Sequence, residues 1–426
     1  MKSAVEWPKR WTPLIPHPEQ VRLIHENRRF KVVPAGRRSG KTERAKRHIV
    51  REAFREKGYY FYAAPTRDQA KRIAWNDLKA LVPVWFKAKP PSETELIIFL
   101  QNGSELHVIG LDKPERIEGI PWSGGVIDEI ANCKPNAWAE NIRPALDTIG
   151  LDAWAWLIGV PEGLNHYYDL AEYSRTSGDP EWGYYHWKSA DILPAKAIEA
   201  AKRQLSPRQF RQEYEASFET ASGRVYDDYS NENHTDRVFD PKRPIIWSHD
   251  FNYVPLSSVI MQRDGNSVYA VDEIVLEGAV ARQAALEFVE RYKDHTGQTV
   301  RIFGDASGNA GAKHGHKSDY IEIQEILKRA GFKVQMMVRA SNPAIKDGQN
   351  SLRAKILNAV GERTFFVNPA RCKVLDKGMK TTQLMEGSTF QEKDSPWQHI
   401  TTAVRYYTAV EFPVGHTGTK PFSPYG

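Results

Sequence analysis

Residues 35–42 read Ala-Gly-Arg-Arg-Ser-Gly-Lys-Thr and stand between a short apolar run, Phe30-Lys31-Val32-Val33, and a segment from Lys41 to Phe54. In that segment Ala45, Ile49 and Ala53 recur on one helical face. Strand, glycine-bearing loop and helix, in that order, build a cradle in which backbone N–H groups and a helix N-terminus hold phosphates. Few arrangements constrain a chain as tightly, because the loop works only at the end of a parallel strand. The pattern is met at every specified position but the first, where Ala35 replaces glycine. Gly36, Arg37, Arg38, Ser39 and Gly40 are then the amide cradle, Lys41 reaches the β and γ phosphates, and Thr42 offers an oxygen to Mg²⁺. Ala35 is tolerable if Gly36 takes the positive φ that alanine avoids. A surface turn rich in glycine and arginine reads similarly, so the loop needs a partner.

Gly124-Gly125-Val126-Ile127-Asp128-Glu129 supplies one, an apolar strand ending in two acids. Asp128 is expected to hold Mg²⁺ through water and Glu129 to polarise the attacking water. An acid pair after a strand is common alone, but at this distance from Lys41, with room for intervening strands, it points to ATP hydrolysis. Arg37 and Arg38 have two readings, charge stabilisation at the γ-phosphate or pairing with nearby acids. Gln20, in Pro16-His17-Pro18-Glu19-Gln20, carries an amide able to donate to and accept from adenine at once.

Around the loop, strands at Tyr59 to Ala64, Gly124 to Ile127 and Ala153 to Ile158 alternate with helices, giving a mostly parallel sheet, and Asn102-Gly103 marks a hairpin. The chain of 426 residues exceeds one ordinary core. We place an ATPase domain at residues 1–222, a polar junction at 223–243 and a second domain at 244–426. The second half opens with three strands, Ile245 to Asp250, Leu256 to Gln262 and Ser267 to Leu276, then a helix from Ala281 to Tyr292 and a strand from Val300 to Asp305. That β-β-β-α-β order suits a mixed, ribonuclease-H-like sheet, in which Asp250 and Asp305 end neighbouring strands. Two Mg²⁺ or Mn²⁺ ions need clustered carboxylates of this kind. A strand-end aspartate alone more often caps a turn; the two together, in the right strand order, favour a metal site. Glycines in Ala306-Ser307-Gly308-Asn309-Ala310-Gly311 would let a phosphate backbone approach.

No run approaches the ~18 uncharged apolar residues of a membrane span, and the N-terminus lacks an apolar secretory stretch. We expect no membrane partner and a location in the cytoplasm. Cys133 and Cys372 have no paired spacing, which excludes a disulfide framework and a thiolate metal site. The formal charge of +6 permits a polyanionic partner. Lys313-His314-Gly315-His316-Lys317, Lys202 to Arg211 and Lys373 to Lys380 are candidate contacts to DNA phosphates, the first being the best placed beside Asp305.

Taken in order, these segments resemble the large terminase subunits of tailed double-stranded DNA bacteriophages. Gly36-Arg37-Arg38-Ser39-Gly40-Lys41-Thr42 is similar to the arginine-bearing loop of that family; Ala64-Pro65-Thr66 with Gln69, and Arg116-Ile117-Glu118-Gly119, resemble the stretches that follow. Val160-Pro161-Glu162-Gly163-Leu164-Asn165 resembles the coupling region, with Val160 where a hydroxyl residue is usual and Asn165 as the substitute sensor of the γ-phosphate. The resemblance implies an ATPase that drives double-stranded DNA into a procapsid and a nuclease that cuts the concatemer. It also implies partners: a portal protein, a small terminase subunit and a homo-oligomeric ring on the procapsid, with a monomer compatible with the isolated chain, all in the host cell cytoplasm. His399-Ile400-Thr401-Thr402-Ala403-Val404-Arg405-Tyr406 departs from the family's His-x-x-Asp-Ala-x-Arg-Tyr by placing Thr402 at the acidic position. Asp394 is the nearest substitute acid, with Glu273 and Glu287 as others, and His399 a further neighbour of the metals.

Two other readings compete. A helicase or remodelling ATPase would carry a second ATP-binding lobe with an arginine finger in a parallel sheet. A non-enzymatic DNA-binding or structural protein that kept the nucleotide-binding fold is opposed by intact Lys41, Thr42, Asp128 and Glu129; Thr402 makes loss of catalysis conceivable for the nuclease half only, which leaves a form with an inactive nuclease half as the alternative.

Overall fold

The computed structural model describes residues 17–150, 152–220, 223–251, 255–295, 297, 299–309, 318–386 and 388–414. The fold is α/β, with two compact units. The first comprises residues up to Ile198 together with Arg211–Thr220; the second comprises Glu199–Phe210 and the chain from residue 221 onward.

The first unit is built on a seven-stranded sheet, β1 (Phe30–Pro34), β2 (Tyr59–Ala64), β3 (Ile97–Phe99), β4 (Glu105–Gly110), β5 (Trp122–Asp128), β6 (Trp154–Gly159) and β7 (Trp182–Tyr184). Their spatial order is β3-β4-β2-β5-β6-β1-β7, and every neighbouring pair is parallel except β3 with β4. Parallel strands lie between two helical layers and so bury both faces, and separate apolar clusters cover the two sides of this sheet. β1 accordingly buries all five residues. One of them is Lys31, whose Nζ donates to the carbonyls of Leu23 and Glu26, each at 2.6 Å, at the C-terminal end of the helix Pro18–His25. Terminal helix carbonyls lack intrahelical partners, and a lysine answers that need; burial lowers the Lys31 ammonium to about 8. Asn102-Gly103 turns the β3–β4 hairpin with Gly103 at φ 84°. Between Arg67 and Leu81 the chain is helical, with a π-helical stretch at Lys71–Trp75.

The second unit carries a six-stranded mixed sheet, β8 (Ile245–Asp250), β9 (Leu256–Asp264), β10 (Ser267–Leu276), β11 (Thr299–Gly304), β12 (Lys333–Met336) and β13 (Phe365–Val367), ordered β12-β11-β8-β9-β10-β13. The meander β8–β9–β10 is antiparallel, while β11 runs parallel to β8 and β12 to β11. This is the order of a ribonuclease-H-like sheet, with β13 added in parallel at the β10 edge. Apolar clusters again cover both faces, and the helix Gln398–Glu411 packs across β8, β9 and β11. Val225, Tyr226 and Tyr229, within the polar 223–243 stretch, are buried in one of these clusters. Among the described residues no helix is long and apolar enough to cross a membrane.

Candidate functional site

At the carboxyl end of the first sheet β6 separates β1 from β5, so the 35–40 loop and the acids after Ile127 open on one crevice, where ligands of parallel α/β sheets bind. Thr42, in the first turn of the helix Lys41–Arg55, donates from Oγ1 to Asp128 Oδ2 at 2.9 Å. A hydrogen bond to a charged acceptor contributes about 1.5–3 kcal/mol. Tyr62 OH donates to the same Asp128 oxygen at 2.5 Å, and Glu129 N to Asp128 Oδ1 at 2.9 Å. The helix after the loop, β2 and the residue after β5 thus fix one carboxylate from three sides. Lys41 is buried. Glu129 sits in a left-handed conformation, φ 54° and ψ 42°, which costs a non-glycine residue on the order of 1–3 kcal/mol and recurs at functional sites. Burial pushes the Glu129 carboxyl up, opposed by Lys41 and reinforced by Asp128, with Arg37 and Glu213 also within electrostatic reach.

The loop conformation corrects one expectation. Positive φ falls at Arg38 (58°) and Gly40 (84°), not at Gly36. Gly36 is required for space instead: a Cβ there would lie 2.5 Å from Ser189 N and 2.6 Å from Tyr214 O. Ala35, just after β1, is part of the core, its N–H donating to Gly159 O. Three loop amides already have partners: Gly36 N donates to Trp187 O, Arg37 N to Glu213 O and Ser39 N to Gly36 O. Ser39 Oγ donates back to Gly36 O, and Ser39 O accepts from Gln20 Nε2 and Trp187 Nε1. Gln20 is buried, and its carbonyl accepts from Arg44 Nε at 2.9 Å, so its amide spans loop and helix on both sides. Arg37 Nε lies 2.7 Å from Glu213 Oε2, whereas Arg38 is exposed. Asn165 caps the helix His166–Thr176 by accepting from Tyr167 N, a contact of about 1 kcal/mol. Its Nδ2 donates to Ala131 O and His166 meets Ile130 O, so the start of this helix holds the backbone that follows Glu129.

In the second unit the register pair Gly304–His249 places Asp305 immediately after β11 beside Asp250 at the end of β8. His399 Nδ1 lies 3.0 Å from Asp250 Oδ2. Burial, then Asp250 and Asp305, raise the Tyr406 phenol, so that residue of the last helix lies within electrostatic reach of the pair. Asn342, absent from the sequence reading, donates from Nδ2 to Asp305 Oδ1 and accepts from Ala306 N, both at 2.7 Å. Thr402 is buried on the same helix. Arg405, the arginine of that motif, is paired with Glu392 inside the unit. The substitute acids are engaged elsewhere. Asp394 is exposed and accepts from Gln398; Glu273 caps the helix Lys373–Thr381 through Val374 N and Leu375 N; Glu287 pairs with Arg291. Among the described residues no three His, Cys, Asp or Glu side chains are grouped to hold a metal ion. Asp250 and Asp305 are the acids that the described ends of β8 and β11 bring together. In the first unit, by contrast, Thr42 and Asp128 already share the hydroxyl and carboxylate oxygens that suit one hard cation.

The basic clusters are largely neutralised: Lys202 pairs with Glu199, Arg208 with Asp227, Arg211 with Glu219 and Lys380 with Asp376, while Lys377 lies over the Trp397 ring. Lys313 to Lys317 lie outside the described residues.

No family model matches the chain. A curated protein, the terminase large subunit of Thermus phage G20c, is 28% identical over 246 residues, 50% of this chain and 50% of that protein. The solved large terminase of the thermophilic bacteriophage D6E superposes with a TM-score of 0.61 at 16% identity, over 92% of this chain and 98% of that one. The chain is a relative of the phage large terminases. It spans about half the length of the curated relatives it matches. The D6E terminase in complex with ADP gives a TM-score of 0.60 at 15% identity, over 92% of this chain and 99% of that one. These solved terminases share the two-sheet fold described above.

Proposed function

We propose that the chain is the ATP-hydrolysing subunit of a DNA-packaging motor, with a nuclease half weakened at Thr402. The observation that carries the ATPase reading is the Thr42–Asp128 contact at 2.9 Å, which joins the phosphate loop to the acidic end of β5 beside Lys41 and Glu129. Lys41 would neutralise the β and γ phosphates of ATP, and Gly40 with the helix N-terminus would present amides to them. Glu129, held in its left-handed turn, would orient the attacking water and accept its proton. Mg²⁺ held by Thr42 and, through water, by Asp128 would spread the charge of the γ-phosphate. Gln20 and Asn165 would then act through the loop and through the peptide after Glu129 respectively. Work on duplex DNA in the host cytoplasm, in a ring with portal protein and a small terminase subunit, belongs to the same proposal and is supported by the terminase relationship.

For the second half we propose DNA cleavage centred on Asp250 and Asp305. A helicase-type second lobe is disfavoured by the antiparallel β8–β9–β10 meander. A nuclease half without activity is the second reading, favoured by Thr402 at the position that is acidic in the related motif. Plasmid cleavage with Mg²⁺ and with Mn²⁺ separates these. We expect weak, Mn²⁺-favoured cutting by the parent, loss of it in Asp250→Ala, and at least tenfold gain in Thr402→Asp with tighter Mn²⁺ binding. Cutting unchanged in Asp250→Ala would remove that residue from the site, and no cutting in any form including Thr402→Asp would leave the inactive reading. DNA-stimulated ATP turnover by the parent tests the motor half.

A further inference from the structure

Arg37 occupies a bridging place in the phosphate loop. Its backbone N–H donates to Glu213 O at 2.6 Å, its carbonyl accepts from Ser189 Oγ at 2.7 Å, and its Nε stands 2.7 Å from Glu213 Oε2. The backbone is therefore pinned from two sides, and the space beside Gly36 is filled by Ser189 and Tyr214. The side chain is the part free to change partner, for the Arg37 side chain is 39% exposed and that of Glu213 15%. Both charges are felt at Glu129, as is Lys41, so the pair lies within electrostatic reach of the crevice where a γ-phosphate would be held. Tyr214, the next residue, is raised by burial and lowered by Arg38 and Arg37, so both arginines lie within electrostatic reach of it.

We propose that Glu213 is a positioning residue that holds Arg37 until a γ-phosphate displaces it, so that the pair discriminates ATP from ADP. This rests on the ATP-site reading above. A phosphate group bearing more than one negative charge competes well with one carboxylate for a guanidinium, and a bidentate arginine–phosphate contact is stronger than a part-exposed ion pair. ADP lacks the group that reaches Arg37 and leaves the pair closed. Removing the Glu213 charge thus removes a competitor that acts against ATP alone.

The test is binding of ATP-γ-S and of ADP, each with Mg²⁺, to the full chain by calorimetry. Glu213→Gln, which keeps the backbone contact and the side-chain shape, should tighten ATP-γ-S binding by up to about fivefold, the 1 kcal/mol of such an ion pair at 1.4 kcal/mol per tenfold, with ADP unchanged. In an Arg37→Ala background the same substitution should have no effect on either nucleotide. A merely structural Glu213 would move both nucleotides together, and that outcome, or no change in either, overturns the proposal; so does an effect that persists without Arg37. Should Glu213→Gln fail to fold, Glu213→Asp carries the same comparison, with the same direction and a smaller size. A parent chain that binds neither nucleotide would sink the ATP-site reading itself, whereas a parent that binds both with an indifferent Glu213→Gln sinks the switch alone.

Discussion

Glu129→Gln is expected to lower ATP turnover by about 10²- to 10⁴-fold, the usual contribution of a positioned general base, while ATP affinity stays within about twofold. The amide keeps the shape and can still orient water, but it cannot accept a proton. The side chain meets the nucleotide pocket from a left-handed turn whose following peptide is tied to Asn165 and His166, so glutamine inherits the same placement. Single-turnover hydrolysis alongside equilibrium binding separates the two effects. Turnover reduced less than tenfold would assign the base elsewhere, and a parallel loss of binding would make Glu129 a structural residue.

The second large effect is expected from Lys41→Ala. On the proposed ATP-site reading Lys41 faces the developing charge of the transferred phosphoryl group, and losing one such electrostatic stabiliser costs roughly 10²- to 10³-fold in catalysis, with weakened ATP binding in addition. Lys41 belongs to the first unit and Asp250 and Asp305 to the second. Mn²⁺-dependent plasmid cleavage in the variant should therefore match that of the parent, whatever its level. A well-folded Lys41→Ala chain that lost cleavage as completely as hydrolysis would contradict the assignment of the two chemistries to separate units.

What the sequence made legible was what is local. The loop between β1 and its helix, the acid pair after Ile127 and the β8–β9–β10 meander each lie within a few tens of residues, where periodicity and turn chemistry speak directly. β7 and β13 passed unseen because three residues are too few to show alternation, and each is defined by a partner far along the chain. The loop's own packing was equally hidden. Gly36 looked like a matter of φ, yet the atoms that demand glycine belong to Ser189 and Tyr214, more than a hundred residues away. Gln20 looked like a reader of the base, and its amide is bonded to Ser39 and Arg44. Nothing near Asp305 in sequence announces Asn342, since a lone asparagine in a polar stretch has no signature until the fold brings it back. Thr402 was legible only through the family motif, and nearness in sequence was a poor guide to a replacement: Asp394 is spent on Gln398 at the surface.

The division of the chain into units has a practical corollary. Residues 199–210 group with the second unit while 211–220 return to the first, so the polypeptide passes from one to the other three times and the helix Pro207–Tyr214 is shared between them. Ala359 N donates to the carbonyls of both Lys202 and Leu205, which anchors the outgoing passage, and Glu213 lies on the returning one. A fragment stopped at Ile198 would keep Lys41 and Asp128 but shed the carboxylate that faces Arg37. One extended to Thr220 would regain it at the expense of carrying a dozen residues stripped of their own neighbours. Dissecting this protein by a single cut thus alters the very pocket the cut was meant to isolate, and point substitutions in the intact chain are the cleaner instrument.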